Sequence, residues 1–209
     1  MLDASLLEGF LLGSGLLLAL GPKDTFVIKS SLQGHSAVML VLICALSDVA
    51  LIMLGTAGLG GIVASNYWLM VGAMVFSIAY LSYFGVQALR SAWSGPVALP
   101  RVDAWPRHLQ TQAQVAKTAL FHSLLTPYAW LDTVLVIGAV SAAKAESARF
   151  AFASGAMIAS FLWFIFLTLG ARLAAPVFQS RRAWQCLDVV VALSMFFLAA
   201  KLVSDCPWR

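Results

Sequence analysis

Of the chain's 209 residues, 61% are hydrophobic and 11% charged, against about 25% charged in ordinary soluble domains. This balance excludes a water-soluble globular fold, because too little polar surface remains to cover the apolar part. The formal net charge of +4 does not indicate nucleic acid, since the Lys and Arg residues fall between apolar runs, where membrane topology accounts for them.

Crossing the hydrocarbon core takes about 20 helical residues, and apolar runs of that length recur along the chain. The short alternating strands of a transmembrane β-barrel are not what these long runs resemble. The reading is an all-α integral membrane protein with six spans: Ser5–Ser31, Ala37–Gly58, Tyr67–Leu89, Ala116–Ala142, Phe150–Ala171 and Trp184–Val203. Phe10–Leu20 is apolar enough for a signal peptide, but Asp3 and Glu8 stand where a basic region should be, so it reads as the first span. Gly21-Pro22 interrupts that span, and Thr126-Pro127 interrupts the fourth. A glycine-rich turn at Gly58–Gly61 follows the second span. A long polar connection, Ser91–Val115, carries Pro96, Pro100 and Pro106 after the third.

That connection divides one transmembrane domain (1–209) into a first repeat (about 1–93), a linker (about 94–114) and a second repeat (about 115–209). Leu20-Gly21-Pro22 followed by Asp24-Thr25 is echoed by Leu125-Thr126-Pro127 followed by Asp132-Thr133. Two halves of three spans each have opposite orientations, so the pattern predicts an inverted repeat. Lys23, Lys29, Arg90, Arg101, Arg107, Lys117, Arg172, Arg181 and Arg182 lie in odd-numbered connections. The even-numbered connections and the tails hold Lys144, Arg149, Lys201 and Arg209. The positive-inside rule then places the odd connections in the cytoplasm and both termini outside.

A proline inside a span frees backbone groups, which lipid tolerates only where protein or a wet cavity satisfies them. Gly21-Pro22 and Thr126-Pro127 are therefore expected to open their spans into half-helices whose ends suit a carboxylate and a cation; a packing kink is the plainer alternative. Asp48 and Asp132 lie deep in the second and fourth spans, where a carboxylate marks a solute or proton path by default. Asp24 is either part of that path or a half-helix cap. Ser47 and Ser160 can serve a site or bond back to their own helices. His122 reads as a hydrated span-end residue or a proton relay, and Lys201 as snorkelling to the interface. Ala151, Gly155 and Ala159 have the spacing of close helix packing, and Trp163 reads as filler unless it faces a cavity. Cys44, Cys186 and Cys206 form no close pair or metal-ligand pattern. That argues against membrane thiol–disulfide chemistry, so neither an enzyme nor a cofactor or metal site is expected.

The stretches Leu20-Gly-Pro-Lys-Asp-Thr-Phe-Val27, Ala45-Leu-Ser-Asp-Val-Ala-Leu-Ile52, Leu125-Thr-Pro-Tyr-Ala-Trp-Leu-Asp-Thr-Val134 and Ala159-Ser-Phe-Leu-Trp163 resemble the lysine exporter (LysE) family. The pattern is most like its arginine-exporter branch. The resemblance implies efflux of amino acids, typically basic ones, from the bacterial cytoplasmic (inner) membrane, driven by membrane potential or a proton gradient. It implicates Gly21, Pro22, Asp48, Pro127, Asp132 and Thr133, to which the residue reading adds Asp24, Ser47 and Thr126. Asp48 and Asp132 are the candidates for proton coupling. Where the family usually has Gly-Pro-Gln-Asn, this chain has Gly21-Pro22-Lys23-Asp24, and Thr126 replaces the usual Asn before the second proline. Expected partners are the amino acid, a coupling proton or ion and membrane lipids, without nucleic acid and with room for a homo-oligomer. Efflux of another small solute or inorganic cation, and a membrane assembly role without transport, are the alternatives.

Overall fold

The helix breaks where proline removes a donor. The structure, a computed structural model, describes residues 2–18, 20–59, 65–94, 111–124, 129–142 and 144–205. α1 (Leu2–Leu17) gives way to α2 (Pro22–Leu32) through a bend of 78°. Pro22 opens α2 at a position where its missing N–H would have had no partner anyway. The Asp24 carboxylate reaches back to accept the Gly21 N–H at 2.8 Å, the acidic half of a capping box. The carbonyl of Leu20, freed by the break, accepts from Ser194 Oγ at 2.9 Å. α2 stops at a left-handed Gly34 (φ 80°), where the His35 N–H bonds Ser30 O and the Gly34 N–H bonds Ser31 O, a Schellman closure.

Ser36 then caps α3 (Ala37–Leu54), accepting from the Met39 N–H. α3 runs into a π-wound turn, Gly55–Leu59. α4 (Tyr67–Ser94) follows, then α5 (Gln112–Leu124), a second π-wound segment (Trp130–Ile137) and α6 (Gly138–Ala142). α7 (Glu146–Leu173) and, after a short 3-10 turn, α8 (Arg181–Asp205) complete the chain.

α7 is the central post, in contact with α1, α2 and α3. Its crossing with α1 depends on missing side chains: a Cβ on Gly9 would stand 2.0 Å from Phe152 O, and one on Gly155 2.0 Å from Leu6 O. Gly155 and Ala159 thus lie against α1, the close packing their spacing predicts. The first π-wound turn packs in the same manner on the second and on α6, a Cβ on Gly55 meeting Val134 O at 3.0 Å and one on Gly138 meeting Gly55 O at 2.8 Å. α4 pairs with α8 through Leu81, Val191, Met195 and Leu198. Large apolar residues such as Leu11, Phe76, Phe166 and Phe197 remain outward and exposed. On an all-helical bundle this is the surface lipid covers.

Among the described residues, four helices are long and apolar enough to cross a membrane, at Ala37–Gly58, Tyr67–Trp93, Ala148–Leu173 and Arg181–Ser204. The α1–α2 pair, bent by 78°, passes the same test when taken together, as a broken span or a re-entrant loop. The expected fourth span is instead divided among α5, the second π-wound segment and α6. None of these is long enough to cross alone, since thirteen residues of α5 rise only about 20 Å. The break at Pro22 is where the sequence predicts it. Thr126 and Pro127 lie outside the described residues.

Candidate cation-lined cavity at the broken helix

The N-terminus of α2 opens onto a cavity of about 80 Å³, room for a few waters or a small cationic group and well short of the ~300–1,000 Å³ usual for whole small-molecule sites. Gly21, Pro22, Lys23 and Asp24 form one wall, and Asp48 on α3 faces them. Thr133 on the second π-wound segment, Ser160 on α7 and His122 on α5 complete its polar lining. Gly13, Ile52 and Ala156 contribute apolar wall.

Asp48, which in sequence has no cation one turn away, is ion-paired with Lys23 Nζ. Both side chains are almost fully buried, and the ammonium also stands 4.5 Å from the centroid of the Phe164 ring, within cation–π range. A lone carboxylate or ammonium at this depth costs several kcal/mol, so each makes the other tolerable. Asp24 is 7% exposed. It accepts from Gly21 N through one oxygen and from Trp163 Nε1 at 3.2 Å through the other. It therefore acts as the half-helix cap and lines the cavity as well. With Asp24 and Asp48 ionised against one lysine, the cluster carries one net negative charge, a surface that suits a cation.

Gly21, Pro22, Asp24, Asp48 and Thr133 come together around one space. Ser47 does not: its hydroxyl donates to Ile43 O at 2.7 Å, back along its own helix. The Asp132 backbone belongs to the second π-wound segment; its side chain, like Thr126 and Pro127, lies outside what is described. Trp163 has a polar task, as donor to Asp24.

Sequence reasoning passed over Asp188 on α8. It is 4% exposed and accepts from Lys29 Nζ at 3.0 Å and from Ser91 Oγ at 2.6 Å. This knot ties α2 to the α4–α8 pair. An aspartate seven residues into the last long helix was the available signal, but it reads equally as an interface residue.

The whole chain has relatives. A family model described as LysE type translocator matches residues 14–206. Arginine exporter protein ArgO of Pectobacterium atrosepticum is 34% identical over 197 residues, covering 94% of this chain and 95% of its own. ArgO of Salmonella typhimurium is 31% identical over 198 residues, covering 95% and 92%. No solved structure matches. The Gly-Pro break and the buried aspartate thus sit within a similarity that runs nearly end to end, and the chain belongs to the LysE type translocator family, whose members move solutes rather than transform them.

Proposed function

We propose that this protein is a secondary exporter of basic, lysine- or arginine-like amino acids in a bacterial cytoplasmic membrane, driven by membrane potential or proton exchange. The observation that carries the reading is the buried Lys23–Asp48 pair on the cavity wall beside Asp24, in a chain similar over most of its length to proteins named arginine exporters. A site that leaves one carboxylate in excess attracts a cationic side chain. The first-turn N–H groups of a helix that begins at Pro22 suit the substrate's carboxylate. Asp48, together with Asp132 across the repeat boundary, holds the ammonium or side-chain cation, and one of the two exchanges a proton.

The six-span inverted repeat belongs to the same proposal, with α5, the second π-wound segment and α6 as a broken fourth span. Its support is the pattern of contacts. The first span touches the fifth as the fourth touches the second, while second-to-fifth and third-to-sixth contacts map onto themselves when the halves are exchanged. Alternating access then follows from one half rocking against the other around a fixed site. Six spans put both termini on the same face, outside by the positive-inside rule, whereas five put them on opposite faces. Cysteines introduced at positions 2 and 209 and labelled with an impermeant reagent distinguish the two.

The functional test is counterflow in proteoliposomes with lysine, arginine, their analogues and neutral amino acids. Exchange confined to basic amino acids is the expected result, and failure of every amino acid to exchange shifts the reading to an inorganic cation. Unchanged efflux in both Asp48→Asn and Asp132→Asn refutes the site.

A further inference from the structure

We infer that Lys23 is a tethered counter-cation: it occupies the substrate's cation position on Asp48 in the empty carrier and gives way when a basic substrate arrives. The inference rests on the amino-acid export reading and deepens it. Lys23 carries the chemistry of the cargo, an ammonium on a four-carbon stem. It holds that ammonium on Asp48, which faces α2 across the cavity. The pair lines the open space, so an entering cation can reach Asp48 from the cavity side.

Lys23 also has somewhere to go. Asp24, the next residue, lines the same cavity. Each of its oxygens accepts one hydrogen bond, from Gly21 N and from Trp163 Nε1, which leaves acceptor capacity on a carboxylate with about four lone-pair sites. When Lys23 moves from Asp48 to Asp24, no charge is created or lost. The cluster goes from one net negative charge when empty to neutral when a monocation is bound.

Two consequences separate this arrangement from a static structural pair. The tether competes with substrate, so it weakens apparent affinity by the fraction of time Lys23 holds Asp48. It also pairs Asp48 in the unloaded protein, so the empty carrier reorients with one uncompensated carboxylate in the cluster instead of two. Each further bare carboxylate at that depth raises the barrier to the empty return, and a bound cation removes one.

The experiment compares wild type, Lys23→Gln, Lys23→Arg and the double variant Lys23→Gln/Asp48→Asn in proteoliposomes, using radiolabelled arginine. Net efflux into amino-acid-free medium and one-for-one exchange are measured side by side. Lys23→Gln is expected to lower KM for exchange about tenfold, the tether no longer competing, and to cut net efflux relative to exchange by a factor on the order of ten. Lys23→Arg, which keeps a cation, returns that ratio toward wild type. Equal loss of efflux and exchange in Lys23→Gln, or an unchanged ratio, overturns the tether and leaves the export reading standing. If Lys23→Gln does not fold, the double variant carries the test, since its cluster keeps the single net negative charge of wild type. Net efflux and exchange should then fall together, their ratio staying near wild type, and the preference for arginine over citrulline, its neutral isostere, should be lost; a retained preference overturns the proposal. A wild-type protein that exchanges no amino acid overturns the export reading, and this one with it.

Discussion

The α1–α7 crossing gives the sharpest stability prediction. Gly9→Ala adds one methyl, placed 2.0 Å from the Phe152 carbonyl oxygen, where ordinary contact begins only at 3.4 Å. The obstacle is backbone, so no rotamer change relieves it and α1 must move away from α7 by about 1.4 Å. A gap of ~1 Å already forfeits up to half of each affected dispersion contact. The contacts at risk include Gly13 against Ala156 and Ala159, and Leu12 and Leu16 against the Ile52–Phe152 cluster. The expected loss is about 3 kcal/mol, the upper end of the overpacking range. For a chain of this size that lowers Tm by roughly 6–12 °C. Gly155→Ala meets Leu6 O at the same 2.0 Å and should cost as much. The two clashes are relieved by one movement, so the double variant should fall well short of the sum of the singles. Gly15→Ala, on the same helix with nothing within 4 Å of its Cβ, serves as the control and should be neutral or stabilising by up to about 1 kcal/mol. Thermal denaturation of detergent-purified protein, followed by loss of the monodisperse chromatographic peak, reads all four. Gly9→Ala within a degree or two of Gly15→Ala, or strictly additive singles, refutes the reasoning.

Trp163→Phe keeps the ring but removes the donor to Asp24. A hydrogen bond to a charged group contributes about 1.5 kcal/mol or more, so transport KM should rise roughly tenfold with little change in Tm, and an unaltered KM dismisses Trp163 from the site. Asp188→Ala strands Lys29 and Ser91. Because the Lys29 side chain is 37% exposed, the expected cost is about 1–3 kcal/mol, short of a fully buried pair. Asp188→Asn, which still accepts from Ser91, should lose visibly less Tm in the same assay. Gly58→Ala has open space around it but a φ of +104°, so only backbone strain opposes the change, and a loss of about 1–2 kcal/mol is expected; a Tm equal to that of wild type shows that the turn relaxes freely.

The sequence makes some of this legible, and the reasons are local ones. Pro22 must break a helix because its ring carries no N–H, whatever surrounds it. Asp48 stands out because a carboxylate in an apolar run is expensive wherever the run is placed. Its partner was illegible because Lys23 lies 25 residues away and reads, by position, as a topological charge. Lys29 was counted in the same way, though it pairs with an aspartate 159 residues downstream. The π-wound turns left no trace either, since widening a helix by one residue per turn changes no composition and barely shifts the apolar pattern. At Ser47 residue type and depth left two readings, a ligand or a bond back along the helix, and its hydroxyl donates to the carbonyl of Ile43.

The lengths of those ion pairs bear on how the protein is made. A lysine or aspartate at the centre of an inserting helix costs about 2.5–3.5 kcal/mol, and the α2 stretch carries Lys23, Asp24 and Lys29 within eleven residues. As the chain emerges, Lys23 gains its counter-charge when α3 follows, so the first two spans can settle together as a neutral hairpin. Lys29 has no such neighbour and must wait for Asp188 on the last helix. Until synthesis reaches that point, the far end of α2 belongs at the membrane surface, its ammonium in contact with water. Insertion of the first span is thereby completed by the arrival of the last, and a chain cut short before α8 should be left with its own N-terminal segment only half seated.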